Sequence, residues 1–122
     1  MDTNVINFDQ VQPFVAADGA IVRELASPSN SPLTRHSLAE IRHPPGTASV
    51  EHYHTEAEEV YFILEGCGTI CIDRKALDLR PGDIIAIAPG QRHKIWPRGE
   101  ADLVMLVTCA PAFSRDGVVF TE

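Results

Sequence analysis

Prolines and glycines punctuate most of this chain at short intervals, and that spacing limits its fold more than any other feature. Nine prolines and eight glycines are spread through 122 residues. Both residue types end helices and mark turns, so the segments left between them are short. AIVREL (Ala20 to Leu25), EVYFIL (Glu59 to Leu64), GTICID (Gly68 to Asp73), DIIAIA (Asp83 to Ala88) and DLVMLV (Asp102 to Val107) are such segments. Runs of this length, rich in Val and Ile, suit strands and not helices. TRHSLAEIR (Thr34 to Arg42) and SVEHYH (Ser49 to His54) read as further strands, the first halted by the prolines of HPPG, which cannot donate to a ladder. KALDL and HKIWP continue the series, and helical periodicity is convincing nowhere. About eight to ten short strands in a chain of this size give an all-β sandwich, jelly roll or barrel.

A hydrophobic content of 44% is enough for one core, so residues 1–122 read as a single domain. The formal charge of -7 excludes nucleic acid and anionic membrane as partners, because both need clustered Lys and Arg. The start MDTNVINFDQVQPF lacks the basic and apolar segments of a signal peptide, and no later stretch has the length of a membrane span. A cytoplasmic location is the expectation. Cys67, Cys71 and Cys109 are odd in number and lack CxxC spacing, so reduced thiols are expected in place of a disulfide framework.

Strand alternation assigns faces. Glu59, Tyr61 and Ile63 share one face of their strand, and Val60, Phe62 and Leu64 share the other. Both faces are apolar, yet the outside of a small barrel meets water, so the second face implies a covering partner, a second copy in a homodimer. The tail APAFSRDGVVFTE carries Phe113 and Phe120, and the N-terminal segment carries Phe8 and Phe14. Both ends are too apolar to hang free and are expected to pack on the barrel or on the partner.

Chemistry concentrates in VEHYHTEAEEVYFILEG, Val50 to Gly66. His52 and His54 alternate on a strand, which puts both imidazoles on one face ~7 Å apart along the backbone, within reach of one ion. Glu56, Glu58 and Glu59 compete as an acidic ligand. The first two read as a solvated loop, whereas Glu59 abuts the apolar run, where an ionised carboxylate is costly unless a cation accompanies it. A further candidate is His93 in PGDIIAIAPGQRHKIWP, although beside Arg92 and Lys94 it would, in isolation, pass for a surface residue.

The residues Gly46, His52-x-His54, Glu59 and Gly66 together resemble the first motif of the cupin superfamily. Gly82, Ala88-Pro89-Gly90 and His93 resemble its second, with Ala88 and Pro97 departing from the usual proline and asparagine. The resemblance implies a double-stranded β-helix (jelly-roll) barrel over about residues 20–110. It also implies one divalent transition metal ion, Fe, Mn, Ni or Zn, held by His52, His54, Glu59 and His93. Three imidazoles and one carboxylate leave coordination positions open, as a catalytic site requires. Cupins include dioxygenases, isomerases, cyclases, decarboxylases and sugar-binding regulators. The expected function is therefore metal-dependent chemistry on a small organic substrate, dioxygenase-like first and isomerase-like or cyclase-like next. The alternative is a noncatalytic metal-anchored barrel that binds or senses a metabolite.

Within the cavity, Tyr61 is the candidate catalytic residue, since its phenol shares a face with Glu59 and can act as an acid. Val50, Ile63 and Ile95 suggest apolar walls, suited to a small aromatic, enol or keto compound. Arg92 and Lys94 flank His93 at the mouth, where they can steer an anion; Arg35 and Arg42 are possible interior cations of unassigned face. Trp96 is expected opposite the ligand face. His36 and His43 read as surface or loop histidines, and Cys71 and Cys109 as inert packing.

Overall fold

The structure, a computed structural model, describes residues 4–122. Its strands form two antiparallel sheets. The first runs in the order β1 (Phe14–Val15), β2 (Ile21–Ala26), β3 (Ser37–His43), β10 (Leu103–Ala110), β5 (Glu58–Glu65), β8 (Ile84–Ile87). The second runs β11 (Val118–Phe120), β4 (His52–His54), β9 (His93–Arg98), β6 (Cys67–Ile72), β7 (Lys75–Leu79). From β4 onward the chain passes back and forth between the sheets except at the β6–β7 hairpin, and this makes the expected jelly-roll barrel. No helix among the described residues is long and apolar enough to cross a membrane.

The two sheets meet through alternate residues. In β5, Glu59, Tyr61 and Ile63 are buried while Val60, Phe62 and Leu64 are exposed by 40, 43 and 38%. A slip of one residue would put Glu59 in water and Phe62 in the core, so this alternation holds the register. Opposite Tyr61 and Ile63 on β10 stand Val107 and Met105, and on the facing sheet Ile70, Leu79 and Ile95 complete the core. Ile84 extends the exposed apolar outer face beside Phe62.

Two punctuating residues have specific reasons. Gly66, between β5 and β6, has φ +80, and a Cβ there would collide with the backbone carbonyl of Asp102. Pro97 sits inside β9 without breaking it. The Ile95 N–H points away from β6 to the Ser49 hydroxyl at 2.9 Å, so the N–H that Pro97 lacks would fall on the same unpaired side.

Among the structure's differences from the sequence expectation, three lie around the site. SVEHYH is a strand only from His52, because Ser49 bonds to the backbone of Ile95 and the Val50 carbonyl turns to the His52 ring. The TEAE loop is shorter, with Glu58 already in β5. Residues 118–120 form an unexpected strand, β11, on the edge of β4. β4 itself meets β9 at a single residue pair, His52 opposite His93.

Candidate metal centre

Each of the four candidate residues reaches the site from a different local cause. His52 and His54 are on the same face of β4, Glu59 opens the inner face of β5, and His93 opens β9 after the turn at Pro89 and Gly90. The Gly90 N–H donates to the His54 carbonyl at 2.9 Å, which ties that turn to the His54 backbone. His52, His54, Glu59 and His93 each offer a ligand atom, and these atoms lie within 4.8 Å of one another. Such a cluster could hold a metal ion. His54, Glu59 and His93 are buried and His52 is half-buried, with ring centroids 4.3 Å apart for His52 and His93.

Backbone carbonyls aim the imidazoles. His52 Nδ1 donates to the Val50 carbonyl at 2.7 Å, and His93 Nδ1 to that of Gln91 at 2.9 Å. With the proton held on Nδ1, Nε2 carries a lone pair, the form in which imidazole binds metals. Glu59 Oε1 lies 2.9 Å from His54 Nε2 and 3.1 Å from His93 Nε2. Those are ion-pair distances without hydrogen-bond angles, and both buried Nε2 atoms are left without a hydrogen-bond partner. A buried carboxylate facing the lone pair of His93 Nε2, whose proton is held on Nδ1, is unfavourable unless a cation sits between them. The donor set therefore fits a divalent transition metal.

The local electrostatics follow from this crowding. Burial acts to raise the Glu59 pKa, but His54 and His93 outweigh it and lower the carboxyl to about 2. Burial pushes His52 below its ordinary value, reinforced by the neighbouring His93 and His54 and opposed by the Val50 carbonyl. Burial also raises Tyr61 well above the ordinary phenol range, helped by the charge of Glu59, so its hydroxyl keeps its proton. That hydroxyl points to Glu59 Oε1 at 3.5 Å, and the Tyr61 ring lies 6.2 Å from that of His93. Cys109 stands opposite Glu59 in the β10–β5 register, and burial beside Glu59 pushes its thiol up to about 12.

Ile63 and Ile95 line the interior as expected, while Val50 contributes its carbonyl. Lys94 does not reach the mouth: it faces the outside of β9, where Nζ contacts Glu122 Oε1 at 2.6 Å. Arg42 pairs with Asp102 at 3.3 Å and Arg35 is exposed, so neither is an interior cation. Trp96 is half-buried on the outer side with Lys94, and His36 is exposed. His43, expected at the surface, is only 2% exposed and sits opposite Leu103, with Nδ1 3.3 Å from the Thr47 hydroxyl. Cys67, Cys71 and Cys109 are all free thiols.

The aromatic surroundings come from the tail. Phe120 pairs with His52 across β11 and β4, its ring 6.1 Å from the imidazole, and the Phe113 ring lies 6.3 Å from that of His54. The Thr55 N–H donates to the Gly117 carbonyl at 2.9 Å, and the Thr121 N–H to that of Glu51 at 2.9 Å, which binds the tail along β4. Its two phenylalanines were the only sequence signal of this placement.

The family described as Cupin domain matches residues 39–109. An uncharacterised protein of Methanocaldococcus jannaschii is 35% identical over 94% of this chain and 92% of its own length. The tetracenomycin polyketide synthase protein TcmJ of Streptomyces glaucescens is 28% identical over 85% of this chain and 71% of its own. Among solved structures, the polyketide cyclase RemF from Streptomyces resistomycificus superposes with a TM-score of 0.84, covering 99% of this chain and 87% of that one at 19% identity.

Proposed function

The chain belongs to the cupin family, and from that premise we propose that it is a metal-dependent enzyme acting on a small, planar, oxygenated organic compound. The chemistry we propose is proton transfer of the cyclase or isomerase kind. One observation carries this reading: a buried phenol that keeps its proton, Tyr61, points at the carboxylate of a cluster competent to hold a metal, inside an otherwise apolar barrel. The similarity to TcmJ, a polyketide synthase protein, agrees with it.

His52, His54, Glu59 and His93 would hold the ion, which when bound supplies Lewis acidity toward a carbonyl or enol oxygen. Glu59 balances positive charge and anchors the two imidazoles it touches. Tyr61 holds a proton at its hydroxyl, ready to donate to an oxygen or carbon of a compound lying against the His93 ring. Ile63, Ile95 and Met105 exclude water behind it, and Phe113 and Phe120 offer flat apolar surface in front. The exposed face of Val60, Phe62, Leu64 and Ile84 is in this proposal the contact with a second copy.

The test is metal analysis of protein purified without chelator, followed by turnover of a panel of phenols, β-diketones, catechols and sugar phosphates in an oxygen electrode. Stoichiometric metal with isomerised or cyclised product and no oxygen uptake is expected. Oxygen consumption in step with turnover would replace this chemistry with the dioxygenase kind. Tight binding without turnover would make the protein a sensing barrel.

A further inference from the structure

Beside the cluster lies a cleft of about 300 Å³ between the β4–β5 loop, Thr55 to Ala57, and the tail from Pro111 to Gly117. That is room for a compound of one or two rings. His54 is the one residue shared by the cleft and the metal-competent cluster. It is 4% exposed, so the cleft ends against a residue whose buried Nε2 belongs to the cluster and has no hydrogen-bond partner. The charge along this route has one sign. Glu56 and Asp116 line the cleft, and among the described residues neither carboxylate has a cation within ion-pair distance. Thr55 and Ser114 add hydroxyls, Ala57, Pro111 and Ala112 add apolar surface, and no Lys or Arg lines it. Arg115, between Ser114 and Asp116, and Arg92, beside His93, lie outside the lining, and Lys94 is paired with Glu122.

We propose that this cleft is the ligand's way to the cluster and selects by charge, admitting neutral or cationic compounds and turning away carboxylates and phosphates. The inference rests on the reading of the cluster as a metal site and narrows its substrate class. Two unpaired carboxylates along the cleft set up a negative field that repels anions and is screened by salt, and the net charge of -7 reinforces it. This reverses the sequence expectation that Arg92 and Lys94 draw an anion to the mouth.

Three catechols with one chelating core and different charge test it: dopamine, catechol and 3,4-dihydroxybenzoate. Each is titrated into iron(III)-loaded protein and its affinity read from the catechol-to-iron absorption band, with no turnover involved. Affinity should fall from cation to neutral to anion, the anion binding on the order of tenfold more weakly than catechol at low salt, with the gap shrinking as salt rises. In a Glu56→Gln/Asp116→Asn double variant with unchanged iron content, the three affinities should converge to within about threefold. Both positions are exposed, so the fold should tolerate the changes. An order unchanged by the double variant, or an anion binding the wild type as tightly as catechol, overturns the charge selection while leaving the metal site standing. Protein that takes up no iron, or loaded protein that gives no band with any probe, overturns the open metal site and this inference with it.

Discussion

Replacing Glu59 by glutamine should stabilise the protein without metal and destabilise it with metal. In chelator at about pH 8, the Glu59 carboxylate is 6% exposed and faces the bare Nε2 of His93, whose proton is held on Nδ1. A buried anion against a lone pair is costly; a neutral amide can donate to that nitrogen instead. Glu59→Gln should therefore gain on the order of 2 kcal/mol, about 8 °C in Tm for a chain of this length. Metal inverts the order. At a free ion concentration about 1,000 times Kd, the wild type gains about 4 kcal/mol. The amide is a poor ligand, so the variant should bind about 100-fold more weakly and gain only about 1.4 kcal/mol.

Acid changes the sign again. Burial works to raise the Glu59 pKa, but the charged imidazoles hold it at about 2, below the ordinary 4.5. Where those imidazoles are charged, the depressed carboxyl stabilises the fold, and that contribution, on the order of 3 kcal/mol, is lost as the pH falls through about 2. At about pH 5 the chelated variant should thus be less stable than the wild type. Differential scanning calorimetry of both proteins, with chelator and with titrated metal, reads all of this. A variant less stable than wild type in chelator at about pH 8, or one gaining as much from metal, would refute the reasoning.

Further outcomes can be checked with single variants. Tyr61→Phe should leave stability within about 1 kcal/mol of wild type and metal content unchanged while turnover falls by about 100-fold or more, measured on whichever panel compound reacts. Burial lowers the His43 pKa against the pull of Asp18, so its neutral form stabilises the fold above the ordinary 6.5 and the contribution is lost as pH falls through that value toward the lowered one. In chelator, His43→Gln should give a flatter stability curve between about pH 7 and pH 5 than wild type. If the exposed β5 face is the contact proposed above, light scattering should find the wild type dimeric and Phe62→Glu monomeric, with fold and metal content retained. Gly66→Ala should cost at least about 3 kcal/mol, because it adds a left-handed backbone to a collision with Asp102, and urea melts would show it.

Much of the architecture was legible because it depends on local chemistry. The alternation of β5 follows from Glu59 to Leu64 alone, and the turn glycines mark its ends. The cluster was legible because the spacing of His52, His54 and Glu59 survives any uncertainty about strand ends. What was hidden depended on distant partners. Nothing in SVEHYH announces that Ser49 is taken by Ile95, a contact 46 residues away that bends the chain before β4 begins. VVF is too short to declare itself a strand until β4 offers an edge. The double proline after His43 hides which way that ring turns. Lys94 is a different case: alternation from His93 already places it outside, and its charge drew attention from that geometry.

The sparse junction between β4 and β9 has a mechanical consequence. β4 and β9 share one ladder rung, His52 to His93, with the Ser49–Ile95, Gly90–His54 and Lys94–Glu122 contacts beyond its ends, so the ladder itself is nearly cut along the line where three imidazoles gather. An ion there would act as a rivet across the gap, replacing backbone bonds that the strands do not make. Its removal should let the ribbon swing as a flap, so amide exchange at residues 52–54 and 118–120 would quicken while β6 and β7 keep their protection.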